Sequence, residues 1–256
     1  MKTFITFLGR ITINILGEMG GMAVMLAKTI ILTFTPPFRI RNLIKQMEII
    51  GVNSVPVVLL TGLFTGMVLA LQGYYGFKKF GGESLLGATV TLSMTRELGP
   101  VLTALMVTAR AGSAMAAELG TMKVTEQMDA LAAMAVDPLQ YLIVPRIWAS
   151  ILMLPLLTGL ADAIGIVGGY IIGVKLLGID PGIYVQRTID IVQLRDITDG
   201  LIKAAVFGLL LALIGCYKGY HTKGGAKGVG EATTHAVVIA SIAILIGDYI
   251  LTSLLM

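Results

Sequence analysis

The sequence predicts an all-α integral membrane protein: five transmembrane helices, an interfacial helix near the amino end, and a short wet helix between the second and third spans. Three observations carry this. Of 256 residues, 56% are hydrophobic and 13% charged, with a mean hydropathy of +0.88, far from the roughly half-apolar, quarter-charged balance of soluble domains. Several windows reach the roughly 20 apolar residues that cross hydrocarbon as a helix. The short alternating segments of a membrane barrel are not found.

The same composition excludes whole classes of chemistry. Cys216 is the single cysteine, and His221 and His235 are too far apart along the chain to form a ligand pair, so neither an internal disulfide nor a metal cluster is expected. The formal charge of +4 is assigned to basic cytoplasmic loops and not to nucleic acid. The glycines between residues 219 and 230 lack the Lys-Ser/Thr offset of a phosphate loop. No H-E-x-x-H or nucleophilic set is recognisable. No cofactor and no enzyme activity are expected of this chain, which leaves transport or assembly.

Residues 1–50 read as a unit separate from 51–256. Phe4 to Thr35 is apolar but interrupted by Arg10, Glu18, Lys28 and the glycines 17, 20 and 21, and it closes at Pro36-Pro37. It lacks the compact apolar core and small-residue cleavage site of a secretory signal. An interfacial helix along the cytoplasmic face is expected, followed by a basic linker (Arg39, Arg41, Lys45) suited to anionic headgroups; a sixth span is the alternative.

The first span runs about 55–75. Gly62 and Gly66 permit close helix approach, and Gln72, Tyr74 and Tyr75 mark an interface. The second, about 85–109, carries Arg96 and Glu97 roughly 16 Å from its start at about 1.5 Å per residue. An ionised side chain near mid-depth costs at least a few kcal/mol unless it is paired or wetted. Neighbours on a helix point about 100° apart, so each needs its own partner on another helix or a cavity wall. Pro100 cannot donate to the Arg96 carbonyl and leaves that oxygen free. A structural ion pair and a functional site both fit these facts.

Arg110 closes the span, and residues 111–114 (AGSA) allow a tight turn. From Lys123 the pattern becomes helical, with Val124, Met128, Leu131 and Ala135 on one stripe and Lys123, Glu126, Gln127 and Ala130 on another. Asp137 can cap a further short helix, with Pro138 at its first position and Gln140 three residues after the cap. The third span, about 147–177, carries Pro155, Asp162, Gly169 and Gly173; its length implies tilt, kink or extension into the periplasm, and Asp162, an intramembrane acid and so a site candidate, is expected to bond to a neighbouring helix. A polar segment follows from 178 to 200, in which Pro181 could open a helix. The fourth span is about 201–217, with Lys203 near its outer end. A basic, glycine-rich loop leads to the fifth, about 236–255, which contains Asp248.

Of the Lys and Arg residues counted by side, twelve fall with the amino end, the central connection and the last loop, and six fall opposite. The excess marks the cytoplasm. The amino terminus is therefore expected inside and the carboxyl terminus outside.

The segments GMVLALQGY (66–74), RELGPVLTALMVTARAGSAMAAELGTMKVTEQMDAL (96–131), VDPLQYLIVPR (136–146) and GVGEATTHAVV (228–238) resemble the MlaE/YrbE family of ABC-transporter permeases. The likeness covers nearly everything from about residue 50. It implies a homodimer of five-span subunits with an amino-terminal elbow helix in a bacterial inner membrane, coupled to a cytoplasmic ATPase and a periplasmic MCE-domain lipid carrier. In the Mla system a STAS-domain protein also binds the ATPase. The family moves phospholipids between the inner and outer membranes of Gram-negative bacteria and so maintains outer-membrane lipid asymmetry. By resemblance, the short helix with Glu126, Gln127, Asp129 and Leu131 would couple to the ATPase. Arg96 and Glu97, with Leu71, Tyr74 and Tyr75, would border a lipid cavity at the dimer interface, where Arg96 could meet a phosphate. An ion-coupled secondary transporter relaying through Glu97, Asp162 and Asp248 is the alternative, as is a non-transporting membrane scaffold; no internal repeat supports the former.

Overall fold

The computed structural model describes residues 2–37 and 39–255, without the side chains of 2–8, 10, 11, 14 and 15. The side chains of Lys2 and Arg10, used above to orient the chain, therefore lie outside the described residues. Every regular element among the described residues is helical. Six helical runs are long and apolar enough to cross a membrane: Leu16–Thr33, Ile40–Lys78, Glu83–Val124, Leu139–Leu176, Leu194–Tyr220 and Gly225–Leu255.

Helix α1 (Lys2–Thr33) precedes α2 (Ile40–Ile50), and a single 3₁₀ turn joins α2 to α3 (Val55–Lys78). The expected basic linker is therefore largely helical, with Arg41 and Lys45 on α2. The next run is α4 (Leu86–Ser93), a π-helical segment Met94–Leu98, α5 (Gly99–Val107), a second π segment Thr108–Gly112, and α6 (Ser113–Val124). The expected turn at residues 111–114 is absent, because the small residues widen the helix into a π segment without ending it. Arg110 accounts for the continuity: its Nε donates to Ser54 Oγ at 2.9 Å, and its Nη2 donates to the carbonyls of Ile49 and Ile50. A cation thus caps the open carboxyl end of α2, where the sequence had suggested a loop charge.

Helix α7 (Gln127–Ala133) and a third π segment, Leu139–Ile143, lead into α8 (Val144–Tyr170), which ends in a fourth, Ile171–Leu176. Asp137 Oδ1 accepts from Leu139 N at 2.8 Å, as expected of a cap, whereas Gln140 reaches away to donate to the Thr35 carbonyl at 2.7 Å. Helix α9 (Pro181–Ile191) is opened by Pro181 and capped by Asp180, whose Oδ1 accepts from Ile183 N at 2.9 Å. Helices α10 (Leu194–Tyr220) and α11 (Gly225–Leu255) complete the chain. Helix α10 begins seven residues before the fourth span expected from hydropathy, so Arg195, Asp196 and Asp199 lie in helix.

The bundle has two ends. Helices α2 and α7 and the α10–α11 turn form the near end; α9 and the α3–α4 turn form the far end. The main core gathers Ile50, Phe207, Leu211, Leu154 and Ile147 between α2, α8 and α10. Helices α3 and α8 meet backbone to backbone at two glycines: a Cβ at Gly62 would sit 2.6 Å from Ala161 O, and one at Gly66 would overlap the Gly165 carbonyl. Close approach of this kind replaces the hydrophobic drive that lipid removes. At the far end, buried Tyr184 of α9 wedges against Gly87, Gly169 and Gly173 and meets Tyr170 edge-on at 5.6 Å. Burial pushes its phenol up to about 12, so it stays neutral.

Candidate functional site

Arg96 and Glu97 sit inside the π segment Met94–Leu98, where an extra residue per turn re-aims side chains; such bulges are frequent at functional sites. Each finds a separate partner. Arg96 Nε donates to Asp196 Oδ1 at 2.7 Å, and its Nη2 pairs with the same oxygen. The other carboxylate oxygen, Asp196 Oδ2, accepts from Gln193 N at 2.8 Å and closes a capping box at the start of α10. The carboxylate is thereby fixed from both sides, with 3% of its surface open, while Arg96 keeps 43%.

Glu97 turns to Lys203 of α10. Lys203 Nζ lies 2.9 Å from Glu97 Oε1 and 3.3 Å from Asp248 Oδ1, and donates to Thr252 Oγ1 at 2.6 Å. It also donates to the Arg96 carbonyl at 2.9 Å, the oxygen that Pro100 leaves without its helical donor. Thr252 in turn donates to Glu97 Oε1 at 3.1 Å. Lys203, 3% exposed, is a buried cation held by two carboxylates from different helices. This group comes from the first half of α10 and the closing turns of α11, so Arg96 and Glu97 lie toward the far end of the bundle.

A cavity of about 230 Å³ opens over these residues, lined by Arg96, Glu97, Asp196, Asp199, Lys203 and Thr252 among others. Leu71, Tyr74 and Tyr75 are elsewhere in the subunit. Leu71 and Tyr75 are exposed on α3, and Tyr74 packs on the small core around Leu86 and Val90. Asp162 is buried on α8 with Oδ1 lacking a hydrogen-bond partner, so the expected bond to a neighbouring helix is not made there. The sequence reading missed Asp196 and Thr252 and left Lys203 unassigned; the four-residue pattern Gln193-Leu-Arg-Asp196 was the available signal for the cap that holds Asp196.

The second candidate surface is α7. It is bracketed by two left-handed residues, Glu126 (φ 60°) and Ala135 (φ 59°). At its end Val136 N donates to Leu131 O at 3.0 Å and Ala135 N to Ala132 O at 3.0 Å, a Schellman closure. Met128 is buried, Leu131 packs against the core, and Glu126, Gln127 and Asp129 are exposed. Lys123 Nζ pairs with Asp129 Oδ1 at 3.1 Å across the break between α6 and α7. Behind it, buried Arg146 pairs with Glu118 at 2.7 Å and donates to the Leu142 carbonyl, tying α6 to the start of α8.

The sequence model of the family Permease MlaE matches residues 43–254. The chain belongs to the MlaE permease family. A probable ABC transporter permease of Rickettsia bellii is 45% identical over 247 residues, covering 96% of this chain and 95% of the relative. The intermembrane phospholipid transport system permease protein MlaE of Haemophilus influenzae is 43% identical over 257 residues, covering 98% and 97%. Within this MlaE-family permease, both candidate surfaces fall in the matched stretch. The chloroplast protein TRIGALACTOSYLDIACYLGLYCEROL 1 of Arabidopsis thaliana is 41% identical over 83% of this chain and 61% of its own length.

Proposed function

We propose that this permease carries phospholipid between the inner and outer membranes of a Gram-negative bacterium as the membrane subunit of an ATP-driven transporter. It works as a homodimer in the inner membrane, with ATP hydrolysed by a separate cytoplasmic ATPase to which a STAS-domain protein binds, and with an MCE-domain lipid carrier on the periplasmic side. The observation that carries the substrate is Arg96. Its partner carboxylate is fully enclosed, yet Arg96 itself stays open to a cavity, so guanidinium donors are available to a phosphate while the charge is already stabilised. Lys203 holds Glu97 in place beside it.

The cavity is too small for a whole phospholipid at about 230 Å³. In the dimer, the exposed face of α3 with Leu71 and Tyr75 would extend it with apolar wall, and Tyr74 would support that face. The subunit spans five times. Helix α1 lies along the cytoplasmic side as an elbow, the amino terminus faces the cytoplasm, the carboxyl terminus faces the periplasm, and α7 couples to the ATPase through Glu126, Gln127 and Asp129 on a base set by Leu131. Arg96→Ala should lower the phospholipid that co-purifies with the complex, read by lipid mass spectrometry at equal protein. Equal lipid occupancy would assign Arg96 to structure alone.

A further inference from the structure

At the near end, remote from the Arg96 site, a second cavity of about 240 Å³ lies between the end of α1, the start of α2 and the start of α8. Its floor is apolar: Leu32, Leu43, Val144 and the ring of Trp148. The polar groups at its rim are satisfied within the fold, since Trp148 Nε1 donates to Thr33 Oγ1 at 2.9 Å and Gln140 Nε2 to the Thr35 carbonyl. Arg39 is the exception. Its guanidinium lies over the Tyr141 ring at 4.6 Å and its Nε is buried without a hydrogen-bond partner. Arg39, Arg41 and Lys45 enter no ion pair among the described residues. A stacked guanidinium with a vacant donor, above an apolar slot and followed on α2 by two unpaired cations, is complementary to one kind of molecule: an anion that carries a hydrocarbon tail. Trp148 and Tyr141 are amphipathic rings of the kind that settles at the headgroup level. The volume is below the roughly 300–1,000 Å³ of pockets that enclose a drug-sized ligand, and so it suits part of one acyl chain and not a whole lipid.

We propose that this slot is a binding site for an anionic phospholipid, with its phosphate on Arg39 and one acyl chain against Trp148, and that this lipid is bound in place and not transported. It would pin α1 to α2 and α8 at the end of the molecule that carries α7. The site stands whether or not phospholipid is the cargo of the Arg96 cavity.

Trp148 is the single tryptophan of the chain, so its fluorescence reports this slot alone. The full chain is placed in nanodiscs of phosphatidylcholine containing increasing fractions of brominated phosphatidylglycerol or, separately, brominated phosphatidylcholine, which quench tryptophan on contact. Half-quenching should need about five-fold less of the anionic lipid, the preference expected of one well-placed arginine near a charged headgroup. Arg39→Gln should abolish the preference, whereas Arg41→Gln should keep most of it. Equal quenching by the two lipids in the unaltered chain overturns the proposal, and that comparison requires no variant to fold. A preference that survives Arg39→Gln also overturns it, since diffuse surface charge then suffices. So does insensitivity to both lipids, which would mean that protein covers the slot.

Discussion

Lys203 is the residue on which the site depends. One buried ammonium serves Glu97, Asp248, Thr252 and the Arg96 carbonyl, so its removal leaves two carboxylates facing one another. Breaking a fully buried pair from one side costs roughly 3–5 kcal/mol. Glu97 retains about a third of its surface, and water would screen part of the loss, so Lys203→Met should cost about 2–3 kcal/mol. Thermal unfolding in detergent measures it, and the double variant Lys203→Met with Glu97→Gln should recover part of the loss by removing one of the stranded charges. An additive double variant would mean that Glu97 and Lys203 do not act on each other. Part of this was legible in the sequence: Arg96 and Glu97 stood out against apolar flanks, and Pro100 pointed to a free carbonyl. The partners were not legible, because Asp196 and Lys203 looked like a polar loop and a span end until α10 was seen to start at Leu194.

At the scale of elements, a helix lies over each of the five stretches expected from hydropathy, and the ends differ for a single reason. Residues 111–114 suggest a turn and 178–200 a polar segment, but the chain is helical at 108–113 and from Leu194, where tertiary partners hold it: Arg110 binds Ser54 and the end of α2, and Asp196 binds Arg96. Gly62 and Gly66, whose spacing permits close approach, are packing sites by contact. Helix α7 is the element that depends on its backbone. Ala135 holds the left-handed position that glycine usually takes, at a penalty of roughly 1–2 kcal/mol for a non-glycine residue. Ala135→Gly should therefore slow hydrogen exchange of the α7 amides by up to about ten-fold, given that roughly 1.4 kcal/mol is a factor of ten; unchanged exchange would show that α7 opens elsewhere. Glu126 combines a left-handed backbone with an exposed carboxylate. Glu126→Lys keeps the backbone problem and reverses the charge, so a drop in lipid-dependent ATPase activity of the assembled complex would place the effect in ATPase contact. Unchanged activity and assembly would leave Glu126 a turn residue.

At the scale of the whole molecule, five spans and six spans differ only in what α1 does, because the later elements cross in the same order in either case. The contacts of α1 favour lying along the near end. Glu18 pairs with Lys218 at 2.7 Å, a Cβ at Gly21 would meet the Tyr217 ring, and Thr33 and Thr35 reach Trp148 and Gln140. Residues 18 and 33 are separated by about 22 Å of helix, yet both ends meet the same end of the bundle, where α10 finishes and α8 begins. A helix crossing the bilayer would carry one of them to the other end. Cys216 is buried, which allows a single-cysteine test after Cys216→Ser. In intact cells a membrane-impermeant maleimide should label Lys79→Cys and leave Lys223→Cys untouched, which fixes the two faces. Gly9→Cys, at an exposed position of α1, should be protected like Lys223→Cys and become reactive only when the membrane is opened. Labelling of Gly9→Cys from outside would mean that α1 crosses, that the chain spans six times, and that the slot beneath Arg39 lies at the end of a transmembrane helix and not under an elbow.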